Sequence, residues 1–230
     1  MLTLDGVRIV QGDFTLSADL EVPRGAIVAV LGPSGAGKST LLGAVAGFVP
    51  IAAGAIRWDG ADLAGLSPGR RPLSILFQDN NLFPHLTAAQ NVGLGLRPDL
   101  RLTAAERGRV ATALARVGLA GLEDRRPAAL SGGQQSRVAL ARVLLRARPL
   151  LLLDEPFSAL GPALRHEMLA EVRALAVETG ATVLMVSHEP RDAQAVADSV
   201  ILVADGRAAP PVPTAAILAD PPPALRAYLG

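Results

Sequence analysis

The stretch that decides the fold spans residues 26–39 and reads AIVAVLGPSGAGKS. Its first six residues are apolar, and a short unbroken apolar run of this length predicts a buried β-strand. A glycine-rich turn follows, and residues 39–48 then form an apolar segment of helical length. The sequence therefore predicts a strand, a loop and a helix in direct succession, as found in parallel sheets that are covered by helices.

Further apolar runs predict the other strands of this sheet. They lie at 73–77, 150–153, 182–186 and 199–203. Helical patterns separate several of these runs, which predicts an α/β fold with a mostly parallel core sheet. Residues 14–20 instead alternate between apolar and polar, so we expect an antiparallel β subdomain near the N-terminus. Residues 39–56 carry no charge, but glycines and Pro50 interrupt them, and we expect a buried helix followed by a turn rather than a membrane span.

The segment from about 84 to 148 has a different character, because no convincing strand occurs in it. Residues 103–117 predict a helix that starts with a capping box, in which Thr103 and Glu106 satisfy each other's backbone N–H groups. We therefore expect a helical subdomain inserted into one domain that spans residues 1–230. Prolines are frequent from about residue 207 onward, and residues 207–230 are predicted to form a peripheral tail.

The composition excludes several classes of function. Lys and Arg total 22 against 21 Asp and Glu, so no net charge attracts the whole chain to nucleic acid or to an anionic membrane. The chain has 0 Cys, which excludes disulfides, zinc–thiolate sites and thiol nucleophiles. Its first residues lack the basic and apolar pattern of a secretion signal, and we expect the chain to remain in the compartment where it is made.

Residues 32–39 fit the pattern G-x-x-x-x-G-K-[ST] in the strand–loop–helix context that this pattern requires. Glycines let successive N–H groups turn toward phosphate oxygens, and the helix that follows points its positive dipole end at them. The Lys38 side chain adds a positive charge near the β- and γ-phosphates, and the Ser39 hydroxyl suits Mg²⁺. The predicted phosphate-binding residues are Gly32, Pro33, Ser34, Gly35, Ala36, Gly37, Lys38, Ser39 and Thr40.

Two acidic residues follow the apolar run 150–153. A buried strand would bring Asp154 to the carboxyl edge of the sheet, where it could hold the metal ion together with Ser39. The next residue, Glu155, is then placed to act as a general base toward water. The same pair could simply end a strand in solvent, but its occurrence beside a phosphate loop favours catalysis.

The motif Leu130-Ser131-Gly132-Gly133-Gln134 makes the prediction more specific. Ser131 and Gln134 form a capping box for a helix through Leu145. Two glycines in its first turn weaken that helix, by about 1 kcal/mol each relative to Ala. Bare N–H groups that contact an anion would explain their presence.

With this motif the chain resembles the ABC transporter ATPase family, whose signature begins L-S-G-G-Q. The order of phosphate loop, Gln78, signature, Asp154-Glu155 and His188 matches the family over nearly the whole chain. The resemblance implies that Ser131, Gly132, Gly133 and Gln134 contact ATP held by the opposite subunit of a homodimer. It also implies that Gln78 senses the metal and the nucleotide, and that His188 contacts the γ-phosphate. ATP and Mg²⁺ are the expected cofactors.

Two positions depart from the family pattern. Gln11 stands where an aromatic residue usually stacks on adenine, with Phe14 the only ring nearby, so our hypothesis is a loose specificity for the nucleotide base. Gly161 stands where the family has an Asp at the dimer interface, so we expect weaker coupling between the two nucleotide sites.

Residues 76–96 and 156–160 are similar to the ATP-binding subunits of bacterial thiamine importers. This similarity implies ATP-driven uptake of thiamine or thiamine phosphates, with a transmembrane permease as direct partner and a periplasmic solute-binding protein as indirect partner. The chain would lie peripherally on the cytoplasmic face of the inner membrane and would bind no nucleic acid. Residues 80–83 would be exposed because the permease contacts them. The alternatives are an importer for another small solute and, with less support, a soluble ABC ATPase without a transport role.

Overall fold

The computed structural model describes residues 1–79 and 81–229. The strands in these ranges are β1 (Leu2–Gln11), β2 (Phe14–Val22), β3 (Ile27–Leu31), β4 (Ala53–Trp58), β5 (Ala61–Asp62), β6 (Leu73–Leu76), β7 (Leu150–Asp154), β8 (Thr182–Val186), β9 (Ser199–Ala204), β10 (Arg207–Ala208) and β11 (Val212–Pro213). The α-helices are α1 (Lys38–Ala46), α2 (Ala88–Gly93), α3 (Ala104–Arg116), α4 (Gly132–Leu145), α5 (Pro162–Thr179), α6 (Pro190–Val196), α7 (Thr214–Ala219) and α8 (Pro223–Leu229).

One continuous sheet runs through the molecule in the order β5-β4-β1-β2-β10-β9-β3-β8-β7-β6, with β11 paired to β9. Strands β9, β3, β8, β7 and β6 are parallel to their neighbours in this series. Strands β2, β1, β4 and β5 form the antiparallel part. The short strand β10 joins the two parts, because it pairs in parallel with β2 and antiparallel with β9. The prediction of an α/β fold with an antiparallel N-terminal part is confirmed.

The parallel strands are buried on both faces, which explains their unbroken apolar sequences. In β3, Ile27, Ala29 and Leu31 pack into one hydrophobic cluster together with helices α3 to α6. Val28 and Val30 face the opposite way and pack with α1 and the antiparallel strands. Alternate residues of β3 thus pack into the two hydrophobic clusters on opposite faces of the sheet. This strand leads directly into the phosphate loop.

The predicted turn after the first helix was wrong from Ala53 onward, because strand β4 begins there and pairs with β1. Gly54 has a φ of 83°, and a β-carbon on it would lie 2.4 Å from the Gly6 carbonyl oxygen. A glycine that looked like a turn residue in the sequence is therefore required by a close approach between two strands.

The segment 84–148 contains α2, α3 and α4 in its described residues. The predicted capping box of α3 is confirmed, since Thr103 Oγ1 accepts from Glu106 N–H at 3.2 Å and Glu106 Oε2 accepts from Thr103 N–H at 2.7 Å. In the described part of the expected peripheral tail, Ile217 and Leu225 are buried in the same cluster as the core helices. No helix in the described ranges has both the length and the apolar character needed to cross a bilayer.

Candidate functional site

The phosphate loop connects β3 to α1 and depends on two glycines. Gly32 has a φ of 150°, and a β-carbon on it would lie 2.0 Å from the Val203 carbonyl oxygen. Gly37 has a φ of 100°, and a β-carbon there would lie 2.6 Å from the Phe14 ring. Both positions therefore exclude any residue with a side chain. The phosphate loop therefore packs closely against β9 at Gly32 and against β2 at Gly37. Its backbone N–H groups lie next to the N-terminus of α1.

Lys38, the first residue of α1, is buried, and its ammonium group bridges the loop. Its Nζ donates to the carbonyl oxygens of Gly32 at 2.8 Å and Pro33 at 2.9 Å. Burial lowers the pKa of Lys38, whereas the charges of Glu155 and Asp154 raise it. The two carboxylates thus help to keep a positive charge at the centre of the loop, where phosphate oxygens would be stabilised.

Ser39 and Asp154 meet at the carboxyl edge of the sheet. Ser39 Oγ donates to Asp154 Oδ1 at 3.0 Å. Burial raises the pKa of Asp154, the Ser39 hydrogen bond lowers it, and the nearby charge of Glu155 raises it. A hydroxyl and a carboxylate are hard oxygen ligands, which suit Mg²⁺.

These two oxygen ligands do not enclose a metal ion by themselves. No cluster of three or more His, Cys, Asp or Glu with the geometry of a metal site occurs among the described residues. Mg²⁺ normally binds through one or two carboxylates plus substrate phosphates, so this donor set fits that mode. Gln78 leaves β6 on the same side, since β6 and β7 are parallel neighbours with Leu76 opposite Leu153.

Glu155 and His188 form a close pair beside Asp154. His188 Nε2 lies 2.5 Å from Glu155 Oε1. Glu155 has a φ of 48°, an uncommon value for a residue with a side chain, and its N–H donates to the Val186 carbonyl oxygen at 3.2 Å. A main-chain bend therefore turns Glu155 away from the strand direction and toward the histidine that follows β8.

The signature residues lie at the start of α4. Ser131 Oγ accepts from Gln134 N–H at 3.3 Å, and Gln134 Oε1 accepts from Ser131 N–H at 2.9 Å, so the predicted capping box is confirmed. A β-carbon on Gly133 would lie 2.9 Å from Leu160 Cδ2, whereas one on Gly132 would meet nothing within 4 Å. Packing against Leu160 thus explains why position 133 has a glycine. It does not explain the glycine at position 132, which is exposed.

The positions that depart from the family pattern are also defined. Gln11 is exposed, and its Oε1 accepts from Thr40 Oγ1 at 3.4 Å. The Phe14 ring packs under Gly37 in the phosphate loop. Gly161 is the exposed N-cap of α5 with extended backbone, and a β-carbon on it would meet nothing within 4 Å.

The segment expected to contact the permease is partly described. Asn80 lies outside the described residues. Asn81 and Phe83 are exposed, and Leu82 packs against the core. Arg142 of α4 donates from Nη1 to the Asn81 carbonyl oxygen at 2.9 Å.

Sequence reasoning missed the residue that holds this loop together. Asn91 is fully buried and donates from Nδ2 to the carbonyl oxygens of Phe83, Leu86 and Thr87, while its Oδ1 accepts from Phe83 N–H. A single Asn gives no sequence signal. The capping box of Thr87 and Gln90 that starts α2 was detectable, because its spacing is the same as in α3 and α4.

A helix-covered parallel sheet with a lysine-bearing glycine-rich loop, a hydrogen-bonded serine–aspartate pair and an adjacent glutamate is typical of a nucleoside triphosphatase. The family model described as ABC transporter matches residues 16–158, and the chain belongs to this family. The resemblance drawn from its motifs is thereby confirmed, and the chain is an ATP-binding cassette that hydrolyses ATP.

Similar proteins cover all or nearly all of the chain. The thiamine import ATP-binding protein ThiQ of Cereibacter sphaeroides is 65% identical over 230 residues, covering 100% of both chains. The protein of the same name from Escherichia coli (strain K12) is 51% identical over 209 residues, covering 91% of this chain and 90% of that protein. The dimeric structure of MJ0796, described as a bacterial ABC transporter cassette, matches at 29% identity with a TM-score of 0.83, covering 93% of this chain and 99% of that one. A dimeric post-hydrolysis structure of MJ0796 bound to ADP and Pi matches to the same extent.

Proposed function

We propose that this single-domain chain is the ATP-hydrolysing subunit of a bacterial importer for thiamine or thiamine phosphates. The observation that carries the substrate assignment is the 65% identity over the whole chain to a protein named for thiamine import. The geometry around Lys38, Asp154 and Glu155 supports the ATPase part independently of that name.

Each group in the site has a chemical role in this proposal. The N–H groups of residues 32–40 and the Lys38 ammonium bind the β- and γ-phosphates. Ser39, Asp154 and Gln78 would hold Mg²⁺, which would neutralise negative charge on the phosphates. Glu155 accepts a proton from the attacking water, and His188 holds the Glu155 carboxylate and contacts the γ-phosphate.

The second half of each site comes from another copy of the chain. Ser131, Gly132, Gly133 and Gln134 would contact the nucleotide bound to the opposite subunit of a head-to-tail homodimer. The exposed N-terminus of α4 and the open space at Gly132 support this arrangement. ATP would close the dimer and hydrolysis would reopen it, and this movement would drive the permease between its two states.

The permease would bind beside residues 81–83, which would keep the chain on the cytoplasmic face of the inner membrane. A cleft of about 620 Å³ adjoins this loop, and its lining includes Arg109, Arg142, Arg146 and Arg148. None of the described residues that line it carries a carboxylate. An acidic segment of the permease would complement this charge. A periplasmic solute-binding protein would act only through the permease, and nucleic acid has no part in the proposal.

The ATPase proposal is tested by replacing Glu155 with Gln, which keeps the size of the side chain but removes the base. We expect ATP turnover to fall by roughly 10²- to 10⁴-fold. The variant should still bind ATP and accumulate as a dimer in size-exclusion chromatography, because it cannot hydrolyse the nucleotide that closes the dimer. Glu167→Gln, an exposed acid on α5, is the matched control and should behave as wild type. A Glu155→Gln variant that stays monomeric in ATP would contradict the shared site.

The substrate proposal needs a cellular measurement. Uptake of labelled thiamine should be lost when the gene is deleted and restored by the wild-type gene but not by the Glu155→Gln allele. Normal thiamine uptake in the deletion strain, with loss of uptake of another small solute, would favour the alternative importer.

A further inference from the structure

A buried chain of hydrogen bonds fixes the turn that carries His188. Ser187 and Asp192 on either side of this turn are 4% and 5% exposed. Ser187 Oγ donates to Asp192 Oδ2 at 2.5 Å and accepts from Glu189 N–H at 3.0 Å. The Ser187 hydroxyl therefore links the residue before His188 to Glu189, the residue after it. The Asp192 carboxylate at the start of α6 in turn accepts a hydrogen bond from this hydroxyl.

The same carboxylate connects this turn to helix α5. Arg165 Nε lies 3.9 Å from Asp192 Oδ1, and Arg165 Nε is buried without a hydrogen-bond partner among the described residues. The Arg165 backbone N–H donates to the Gly161 carbonyl oxygen at 2.9 Å, within the first turn of α5. Asp192 thus contacts both the His188 turn and helix α5, whose N-cap is Gly161.

A role limited to holding the His188 turn explains the charged side chain of Asp192 less well. Burial raises the pKa of Asp192, the Ser187 hydrogen bond and the Arg165 charge lower it, and the Glu189 charge raises it. A buried carboxylate is unfavourable unless it is paired and hydrogen-bonded. A neutral Asn could accept the Ser187 hydrogen bond and pack in the same space. The negative charge is needed only if the turn must also be tied to the Arg165 guanidinium.

We propose that Asp192 is a positioning residue for His188. Through Ser187 it sets the turn that places His188 Nε2 against Glu155, and through Arg165 it ties that turn to the start of α5. This inference rests on the proposed function, because it gives Asp192 a part in ATP hydrolysis, exerted through His188.

The first test is the kinetics of the full-length chain with Asp192→Ala, Asp192→Asn and Ser187→Ala. We expect kcat for Mg-ATP to fall by roughly 10- to 100-fold in Asp192→Ala and Ser187→Ala, since misplacement of a catalytic group by 1 Å has effects of this size. KM for ATP should stay within about threefold, because phosphate binding by the loop is unaffected. Asp192→Asn should fall between wild type and Asp192→Ala, because it keeps the hydroxyl acceptor and loses the charge.

The second test does not depend on turnover. The chain has 3 His, so the imidazole NMR signals can be assigned by single substitutions. Asp192→Ala and Asp192→Asn should shift or broaden the His188 signal and leave that of His85 unchanged. The control Glu167→Gln should leave the His188 signal and kcat as in wild type.

The two proposals fail in different ways. Unchanged kcat with an unchanged His188 signal in the folded Asp192→Asn variant would reject the positioning role. A loss in the double variant His188→Ala/Asp192→Asn that exceeds the loss in His188→Ala would also reject it, because Asp192 would then act independently of His188. Absence of ATP turnover in the wild-type chain would instead reject the proposed function. In that case the His188 NMR signals of the Asp192 variants would still test whether Asp192 positions His188.

Discussion

Asp154 shows how one residue combines a cost in stability with a function. The side chain is 7% exposed at the end of a buried strand, and burial raises its pKa. The Ser39 hydrogen bond lowers the pKa in part, the like charge of Glu155 raises it further, and the charges of Lys38 and His188 each lower it by less than the hydrogen bond does. The ionised form of Asp154 is therefore unfavourable by itself. A cation that binds next to this carboxylate removes much of that unfavourable free energy.

A neutral amide at this position should stabilise the nucleotide-free protein. The folded-state pKa of Asp154 lies above its unfolded-state value, so the folded chain binds more protons, and the stability from this group falls as pH rises through the folded-state pKa. Asp154→Asn removes that dependence and keeps an acceptor for Ser39. We expect its Tm at pH 7 to be roughly 2–4 °C above wild type, the shift that corresponds to about 1 kcal/mol in a domain of this size.

Calorimetry of both proteins between pH 8 and pH 5 checks this prediction. The difference in Tm should shrink as pH falls toward about 4, the ordinary pKa of an aspartate. Mg-dependent ATP turnover of the variant should be lost at every pH. A Tm at or below that of wild type at pH 7 would contradict the assigned effect of burial.

Among the secondary-structure elements, α2, α3 and α4 begin in the same way. Thr87, Thr103 and Ser131 are N-caps that each exchange two hydrogen bonds with a Gln or Glu three residues later. In α2 and α3 the cap is structural. In α4 the same cap lies directly before the glycines of the signature, and Ser131 is the one N-cap of the three for which we propose a second role in nucleotide contact.

Two matched substitutions separate these roles. Thr103→Ala and Ser131→Ala each remove one N-cap, and each should lower the free energy of unfolding by about 1 kcal/mol in urea denaturation. Thr103→Ala should leave ATP turnover per folded molecule unchanged. Ser131→Ala should in addition reduce turnover at saturating ATP if its hydroxyl contacts the opposite nucleotide as proposed. Equal turnover in the two variants would leave Ser131 with the role of a cap only.

Strands with an unbroken apolar pattern could be predicted from the sequence, whereas β1 and β4, each interrupted by a glycine, could not. The apolar runs of β3, β7, β8 and β9 matched the structure to within a residue or so. Strand β1 was not located, because its register shifts between Leu4 and Val7, where Gly6 has a φ of 54°. That bulge breaks the alternation on which strand prediction depends.

For the site, the distinction is between residues that are adjacent in the chain and residues that only packing brings together. The phosphate loop and the Asp154-Glu155 pair could be predicted because their residues are adjacent in the chain. The contacts of Arg142 with the loop at Asn81 and of Arg165 with Asp192 could not, because they depend on how separate helices pack. Their residue types are common on helices and have no characteristic spacing.

For the whole molecule, charge is distributed unevenly despite a formal net charge of +1. The cleft beside the Asn81 loop collects Arg109, Arg142, Arg146 and Arg148. The pKa of Arg146 is lowered by burial and by the charge of Arg148, so the two cations repel each other. A negatively charged partner segment would relieve this repulsion.

Reversal of this charge should weaken binding of the permease. In Arg146→Glu/Arg148→Glu we expect the affinity for permease-containing membranes to fall at least about tenfold at low salt, and the difference should narrow as salt is raised. ATP turnover of the isolated chain should not change. Arg207→Glu, at the exposed residue of β10, serves as the control. Co-sedimentation across a salt series measures both effects, and equal retention of all variants would exclude the cleft from the interface.

The short strand β10 also determines when the sheet can be completed during synthesis. Ser17 donates from its N–H and its hydroxyl to the Gly206 carbonyl oxygen, and these residues are 189 positions apart. At about 5–20 residues per second, a ribosome needs roughly 10–40 s to cover that distance. Throughout this interval the edge of β2 that later receives β10 remains open on the nascent chain. An open strand edge can pair with other chains, so a cell that makes this protein has to protect a half-built sheet until translation reaches its last tenth.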